Sequence, residues 1–302
     1  MTTTRADGLA GQVPGVTSVI DTSHASPEVV RSLTAYFGDK AKRDIDGTVA
    51  HFCKEPFVYI DATLGWPFET RDNLRDLFAQ QMPQWPADAN SYLTRIVGDE
   101  NSAIVYFTND PGIFFPSDMR SVSVVNFIDG KIARWLDYWD YNHIGEANLK
   151  GMRLPDEQFP ADFKESLVGD VATARIKQVA ASLNQALAAN DAARAAALFA
   201  PDATFTHLTA HLRITGPRHI TTFLAAAQRT LPYMGSGVAV RHVVGSDVGG
   251  GYEWKANGVV PRGVNVLQLD DQGLITSFES IWDGSRLDDD ALLRLAKAAI
   301  ER

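Results

Sequence analysis

Hydrophobic and polar positions in the first half of the chain change from helical segments to alternating ones. The segment PEVVRSLTAYFGDKAKRD has a helical pattern, with Pro27 suited to its first turn and Ser26 placed to cap it. FVYIDAT alternates as strands do, and three later apolar runs are also typical of strands. We predict helices over 27–44, 45–52 and 70–85, and strands over 57–63, 91–98, 102–110, 119–128 and 132–142.

The same order of patterns starts again after residue 168. Three helical segments are interleaved with strand-like runs, and a final helix begins with acidic residues that suit the positive end of its dipole. The helices are predicted over 172–190, 191–199, 217–231 and 288–302, and the strands over 202–208, 238–247, 251–258, 263–269 and 275–284.

Several landmarks recur between the halves at a nearly constant offset of about 145 residues. DGKIARWLDYWD in the first half matches DQGLITSFESIWD in the second. A single repeat of this length indicates duplication of a domain, and helices followed by a meandering sheet favour an α+β fold. We predict a flexible N-terminal arm over 1–25, a first domain over 26–145, a linker over 146–168 and a second domain over 169–302.

Composition supports two soluble domains and disfavours several partners. The chain has 302 residues, 45% of them hydrophobic, and a formal net charge of −9 without a basic stripe. Nucleic-acid and membrane-surface binding are therefore disfavoured. One cysteine leaves no disulfide or Cys/His zinc cluster, and no signal peptide or membrane helix is recognisable, so a cytoplasmic location is the default expectation.

A loose set of motifs carries a family resemblance. Asp44-Ile45-Asp46-Gly47, an acid at the end of the FVYIDAT strand, and the terminal strand with DYWD at 137–140 occur in that order. This layout resembles the ketosteroid isomerase, SnoaL polyketide cyclase and limonene-epoxide hydrolase group of NTF2-like proteins. The resemblance extends over nearly all of both halves. It implies two tandem cone-shaped α+β barrel domains, each with three helices packed on a curved mixed sheet around a small-molecule cavity.

The resemblance implies a base and an oxyanion donor in the first half. Isomerases of this family pair a general-base carboxylate with a tyrosine of the first helix and a protonated acid on a late strand. These positions fall on Asp61, Tyr36 and the stretch from Val124 to Asn126, which contains no acid. The second donor would then be Asn126 or another group. A turn-capping Asp61 and a core Tyr36 are the alternatives that the residues leave open.

The last strand of the first half supplies another candidate acid. Because side chains alternate along a strand, Trp135, Asp137 and Trp139 share one face, which by resemblance lines the cavity. A carboxyl group between two indoles has its pKa raised and suits a general acid. The predicted substrate-binding residues are Tyr59, Trp66, Asn126, Trp135, Trp139 and Asn265. The Asp–Arg–Asp set of the hydrolases is missing, which disfavours epoxide hydrolysis.

The second half keeps fewer polar groups at these positions. Leu183 stands at the tyrosine position, His207 at the base position, Asn265 near the late acid and Ser280 opposite Asp137. His207 is a candidate base because histidine titrates near neutrality. His207 and His211 lack a third ligand, so we expect no metal site.

Three functional hypotheses follow. The leading one is a cofactor-independent isomerase, cyclase or dehydratase acting through an enolate on a hydrophobic, polycyclic or aromatic carbonyl compound. By resemblance it includes a SnoaL-like polyketide cyclase of secondary metabolism. The alternatives are a non-catalytic binding or scaffolding protein, and a lyase or hydrolase centred on His207. The tandem chain is expected to be a monomer with an intrachain pseudo-dimer, or a homodimer.

Overall fold

The computed structural model describes residues 19–300, so most of the predicted arm and the last two residues lie outside it. The last residues of the predicted flexible arm are part of a sheet. Asp21–Ala25 form a strand, β1, that pairs in parallel with a later strand. The other elements of the first half are α1 (Pro27–Ala41), α2 (Ile45–Ala50), β2 (Val58–Asp61), β3 (Trp66–Phe68), α3 (Arg71–Gln81), β4 (Ser91–Gly98), β5 (Ser102–Asn109), β6 (Met119–Ile128) and β7 (Lys131–Tyr138).

The predicted linker contains short ordered turns. The four-residue helix α4 (Tyr141–Ile144) lies just before this segment. Within it, the four-residue helix α5 (Glu146–Leu149) is followed by 3-10 turns at Asp156–Gln158 and Glu165–Leu167. Phe163 is fully buried. This segment is therefore packed against the rest of the chain. The domain boundaries themselves stay a prediction.

The second half repeats the arrangement of the first. Its elements are α6 (Ala174–Ala188), α7 (Ala192–Ala196), β8 (Phe199–His207), β9 (Leu212–Thr215), α8 (Pro217–Ala227), β10 (Val238–Ser246), β11 (Gly249–Ala256), β12 (Arg262–Leu269), β13 (Ile275–Trp282) and α9 (Asp289–Ala298).

Two mixed sheets form the frame of the molecule. The first has the strand order β1-β4-β5-β6-β7-β2-β3 and the second β10-β11-β12-β13-β8-β9, so the second matches the first apart from β1. The β2–β7 and β8–β13 pairs are parallel, and the remaining pairs apart from β1–β4 are antiparallel. Helices cover one face of each sheet and enclose an apolar core. The α+β class predicted from the sequence is confirmed.

The other faces of the two sheets pack against each other. A third apolar cluster combines Val58, Ile104, Val124 and Leu136 with side chains of the second half such as Val264. Central strands such as β5 are thus buried on both sides, which explains their nearly continuous apolar runs. The two halves therefore contact each other through these sheet faces.

Close approach at this contact depends on glycine in β11. The three consecutive glycines Gly249–Gly251 lie within β11 itself. A Cβ atom on Gly251 would lie 2.6 Å from the Asn265 carbonyl oxygen and 3.0 Å from Ile104 Cδ1 of the facing sheet. Only a residue without a side chain fits here.

Replacing this glycine is expected to destabilise the protein. Gly251→Ala should lower the free energy of unfolding by about 1–3 kcal/mol, because the added methyl overpacks the contact between the sheets. Gly258→Ala is the matched control, since its Cβ meets no atom within 4 Å. Urea denaturation followed by circular dichroism measures both. Equal midpoints for the two variants would contradict this account of the contact.

Candidate functional site

A cavity of about 170 Å³ lies in the first half, between the inner face of the sheet and the helices α1 and α3. Its walls are mostly apolar, with rings and aliphatic groups such as Phe78 and Leu64. The polar side chains that line it are Lys40, Tyr59, Asp61, Trp66, Gln81, Asn109 and Asp137.

Strand register brings the two predicted carboxylates to one place. In the parallel pair β2–β7, Tyr59 is opposite Trp135 and Asp61 is opposite Asp137. Registered neighbours project from the same face of a sheet, so both acids face the helices. The prediction that alternation places Asp137 on the inner face agrees with this geometry.

Asp61 both caps a turn and lines the cavity. Its Oδ1 accepts the backbone N–H groups of Thr63 at 2.9 Å and Leu64 at 2.7 Å, and its Oδ2 accepts the Trp139 indole N–H at 3.0 Å. Desolvation nevertheless raises the pKa of Asp61 to about 7, and the charge of Asp137 adds to the rise. A carboxyl group with this pKa exchanges protons readily near neutral pH.

Asp137 is buried and held by three donors. Oδ1 accepts hydrogen bonds from the Ser123 hydroxyl at 2.5 Å and the Trp135 indole at 2.6 Å, and Oδ2 accepts one from the Tyr59 hydroxyl at 2.8 Å. Burial raises the pKa of Asp137, and these hydrogen bonds oppose the rise. The predicted Tyr59, Trp135 and Trp139 thus act on the two carboxylates directly, while the Trp66 indole donates to the Met152 carbonyl at 2.7 Å.

Lys40 is the main cavity residue that the sequence interpretation missed. It is only 3% exposed and lies on the apolar stripe of α1. Its Nζ lies 5.2–5.9 Å from the centroids of the rings of Tyr36, Phe37, Phe78 and Phe107. Burial lowers the pKa of Lys40 to about 8, and the charge of Asp137 partly opposes this. The available signal was a lysine at a helix position that otherwise carries apolar residues.

Tyr36 lies in the aromatic core behind the cavity. Its ring centroid is 5.4 Å from that of Trp135 and 5.0 Å from that of Phe37. Burial and the nearby charge of Asp137 raise its pKa above the ordinary tyrosine value. The tyrosine that the structure places on Asp137 is Tyr59, and the core alternative for Tyr36 agrees with this packing.

Asn126 was wrongly assigned to the cavity. It projects from the opposite face of β6, where its Oδ1 lies 3.1 Å from the Nε2 of His242 in the second half. Ser123 pairs with Asp137 across β6–β7 and bonds to it. The polar group that β6 supplies to the carboxylate is therefore Ser123.

The corresponding residues of the second half are buried among aromatic rings. His207 pairs with Ser280 as Asp61 pairs with Asp137, which agrees with the predicted correspondence of the halves. His207 is fully buried, and burial lowers its pKa to about 3. It lies 3.3 Å from the indole nitrogen of Trp282. Asn265 is also fully buried and donates to the Tyr252 hydroxyl at 2.9 Å.

Within residues 19–300, no group of three or more His, Cys, Asp or Glu side chains is arranged to hold a metal ion. No helix in that same range has the length and apolar character needed to cross a membrane.

Comparisons with known proteins give matches among solved structures. No family model and no curated protein matches the chain. A steroid delta-isomerase from Pseudomonas aeruginosa is 18% identical, covering 43% of this chain and 93% of its own, with a TM-score of 0.33. An LEH-like epoxide hydrolase of M. tuberculosis is 19% identical, and the match covers 41% of this chain and 91% of that protein, with a TM-score of 0.34. A protein with a cystatin-like fold from Silicibacter pomeroyi DSS-3 is 21% identical. That match covers 40% of this chain and 82% of the other protein, with a TM-score of 0.32.

Proposed function

We propose that the cavity of the first half catalyses proton transfer next to a carbonyl group, as an isomerase or lyase that acts through an enolate. The observation that carries this proposal is Asp61, whose pKa is raised to about 7 at the wall of a mostly apolar cavity. Perturbed carboxyl groups of this kind are suited to general acid–base catalysis. The base role predicted for Asp61 from the sequence is retained in this proposal.

The proposed step divides the chemistry between three side chains. Asp61 takes the proton from the carbon next to the carbonyl. The electron pair left on that carbon forms a carbon–carbon double bond, and the carbonyl π pair moves onto the oxygen. The Lys40 ammonium supplies positive charge in the same cavity, where low polarity strengthens its attraction for the developing anion. Return of the proton to another carbon isomerises the substrate. Asp137 is the second carboxyl group available for that return. Aldol cyclisation and dehydration share the first step.

Cavity size narrows the substrate class. A cavity of roughly 150 Å³ lined by apolar side chains accommodates benzene. A cavity of about 170 Å³ is similar in size, so it favours a single-ring carbonyl compound over a polycyclic one. We therefore propose a small, largely apolar ketone or aldehyde, cyclic or aromatic, as the substrate.

Exchange of α-hydrogen atoms tests the proposed reaction. The full-length protein is mixed with cyclohexanone in D₂O, and proton NMR follows loss of the α-hydrogen signal. We expect exchange that is faster than in buffer alone and that saturates with ketone concentration. Saturable binding of cyclohexanone without accelerated exchange would instead support the non-catalytic binding protein. Exchange at the buffer rate without binding would contradict both.

The exchange rate is expected to rise with pH, because the catalytic group acts as a base. Asp61 must be ionised to accept a proton, so kcat/KM should fall about tenfold per pH unit below about pH 7. Above that pH the carboxylate is formed and the rate levels off, until deprotonation of Lys40 near pH 8 alters it. The apparent pKa belongs to the coupled Asp61–Asp137 pair, with Lys40 and Tyr59 facing it. A profile that is flat down to about pH 5 would indicate a carboxylate with the ordinary pKa.

We infer no chemistry for His207. A pKa of about 3 leaves it uncharged and a weak base at neutral pH, and its ring packs against Tyr233 and Trp282. The aromatic packing and the sheet-to-sheet contact favour a scaffolding role for the second half. The matching strand orders support a tandem duplication in which one half is proposed to keep the chemistry.

A further inference from the structure

Lys40 has a position that an electrostatic role alone does not require. It lines the same cavity as Asp61 and Asp137, and its charged end is surrounded by aromatic rings. We propose that Lys40 is a covalent amine catalyst that captures the carbonyl group of a small apolar ketone or aldehyde as an iminium ion. This inference rests on the proposed function and names the form in which the substrate is activated.

Burial keeps part of Lys40 in the reactive form. An amine attacks a carbonyl only when it is unprotonated, and a lysine desolvated in an apolar pocket is activated in this way. The pKa of about 8 leaves about a tenth of the molecules with a free Lys40 amine at pH 7, whereas an ordinary lysine has far less. Lys40 is only 3% exposed and four rings lie within 5.9 Å of its Nζ, so the amine stays inside the apolar surroundings of the cavity.

The proposed reaction balances without an added oxidant or reductant. The free amine of Lys40 attacks the carbonyl carbon, and the carbonyl electron pair moves to oxygen. A proton then passes from the nitrogen to that oxygen, giving a neutral carbinolamine. A proton from a cavity carboxyl group then allows the hydroxyl to leave as water, and the carbon–nitrogen double bond forms as an iminium ion. Water reverses these steps at the end of the cycle and releases the product carbonyl with a free Lys40.

The carboxylates suit both stages of this sequence. Asp61 and Asp137 both have raised pKa values, so a protonated member of the pair can supply the proton for loss of water. Once the iminium ion forms, its positive charge acidifies the neighbouring carbon. Asp61 then removes that proton to give a neutral enamine. The same cavity would therefore enolise a ketone as its enamine.

Reductive trapping tests the proposal directly. The full-length protein is incubated with cyclohexanone and sodium cyanoborohydride at pH 7, and its intact mass and peptides are measured by mass spectrometry. We expect one cyclohexyl group on Lys40, at a level that exceeds that on any surface lysine by about tenfold or more, as the difference in free amine allows. No adduct, or equal labelling of Lys40 and exposed lysines, would overturn the proposal.

Two variants and one control locate the effect. Lys40→Met removes the amine with little change in length, and Lys40→Arg keeps a charge but cannot form the iminium ion. Lys42→Met is the control, because Lys42 is exposed and follows the same helix. Both Lys40 variants should lose the cavity adduct, and Lys42→Met should keep it. Because peptide mapping of the unaltered protein already locates the label, a variant that does not fold leaves the test intact.

Exchange and trapping separate this inference from the proposed function. One outcome overturns the covalent role and leaves Asp61 as the base. In that outcome Lys40→Arg exchanges α-hydrogen at the wild-type rate, and reductive trapping of the wild-type protein gives no adduct on Lys40. An adduct on Lys40 in a protein that does not accelerate exchange supports the reactive amine and overturns enolisation.

Discussion

Asp61→Asn is expected to lower the rate of cyclohexanone α-hydrogen exchange by about 10²–10⁴-fold, the contribution typical of a general base. Asparagine keeps an oxygen for the Thr63 and Leu64 N–H groups, so the turn after β2 can be preserved. What it loses is the capacity to accept a proton near neutral pH. Initial exchange rates from proton NMR, at saturating and limiting ketone, measure the loss in kcat and in kcat/KM.

A matched control separates catalysis from turn capping. Asp270 in the second half also accepts two backbone N–H groups, those of Gln272 and Leu274. Asp270→Asn should therefore reproduce the structural consequence of the change and leave exchange at the wild-type rate. If Asp61→Asn retained wild-type exchange with an unchanged circular dichroism spectrum, the base would have to be another group.

Local patterns were sufficient to predict most elements and the inner face of β7. The prediction for 91–98 has the same bounds as β4, and the one for 119–128 those of β6. Alternation also placed Trp135 and Asp137 on one side, because side chains in a strand have a fixed period of two.

Contacts between distant segments explain what the sequence did not reveal. Strand β6 is buried on both faces, so its polar and apolar positions gave no indication that Asn126 faces the second half and Ser123 the cavity. Lys40 was not selected as a candidate, because lysine is rarely buried even when it shares the apolar stripe of a helix. Its burial follows from the packing of α1 against α3 and β5, whose rings surround it. The strand glycines of β11 likewise make sense only beside Ile104.

The sheet-to-sheet contact also buries charge, which no local pattern indicates. Arg134 of β7 and Glu253 of β11 are both fully buried, with Nη2 and Oε2 at 2.6 Å. Tyr138 donates to the other oxygen of Glu253 at 2.6 Å, and the Arg134 Nε donates to the Phe163 carbonyl at 2.9 Å. The first half, the predicted linker and the second half thus meet at one ion pair.

Glu253→Ala is expected to lower the free energy of unfolding by about 3–5 kcal/mol, because it leaves the Arg134 charge buried without a partner. Urea denaturation of the full-length protein measures this loss. Asp156→Ala breaks an exposed pair with Arg286 and is the control, with an expected cost of about 0–1 kcal/mol.

A double variant shows what that loss represents. Replacing both partners, as Arg134→Met with Glu253→Leu, should recover most of the stability lost in Glu253→Ala, because neither charge then remains in the apolar contact. Recovery would mean that the ion pair adds little to the free energy of unfolding and that its main effect is to fix how the two sheets pack. If Glu253→Ala alone cost less than about 1 kcal/mol, the Arg134 charge would have to reach water, and the contact between the sheets would be looser than the buried pair requires.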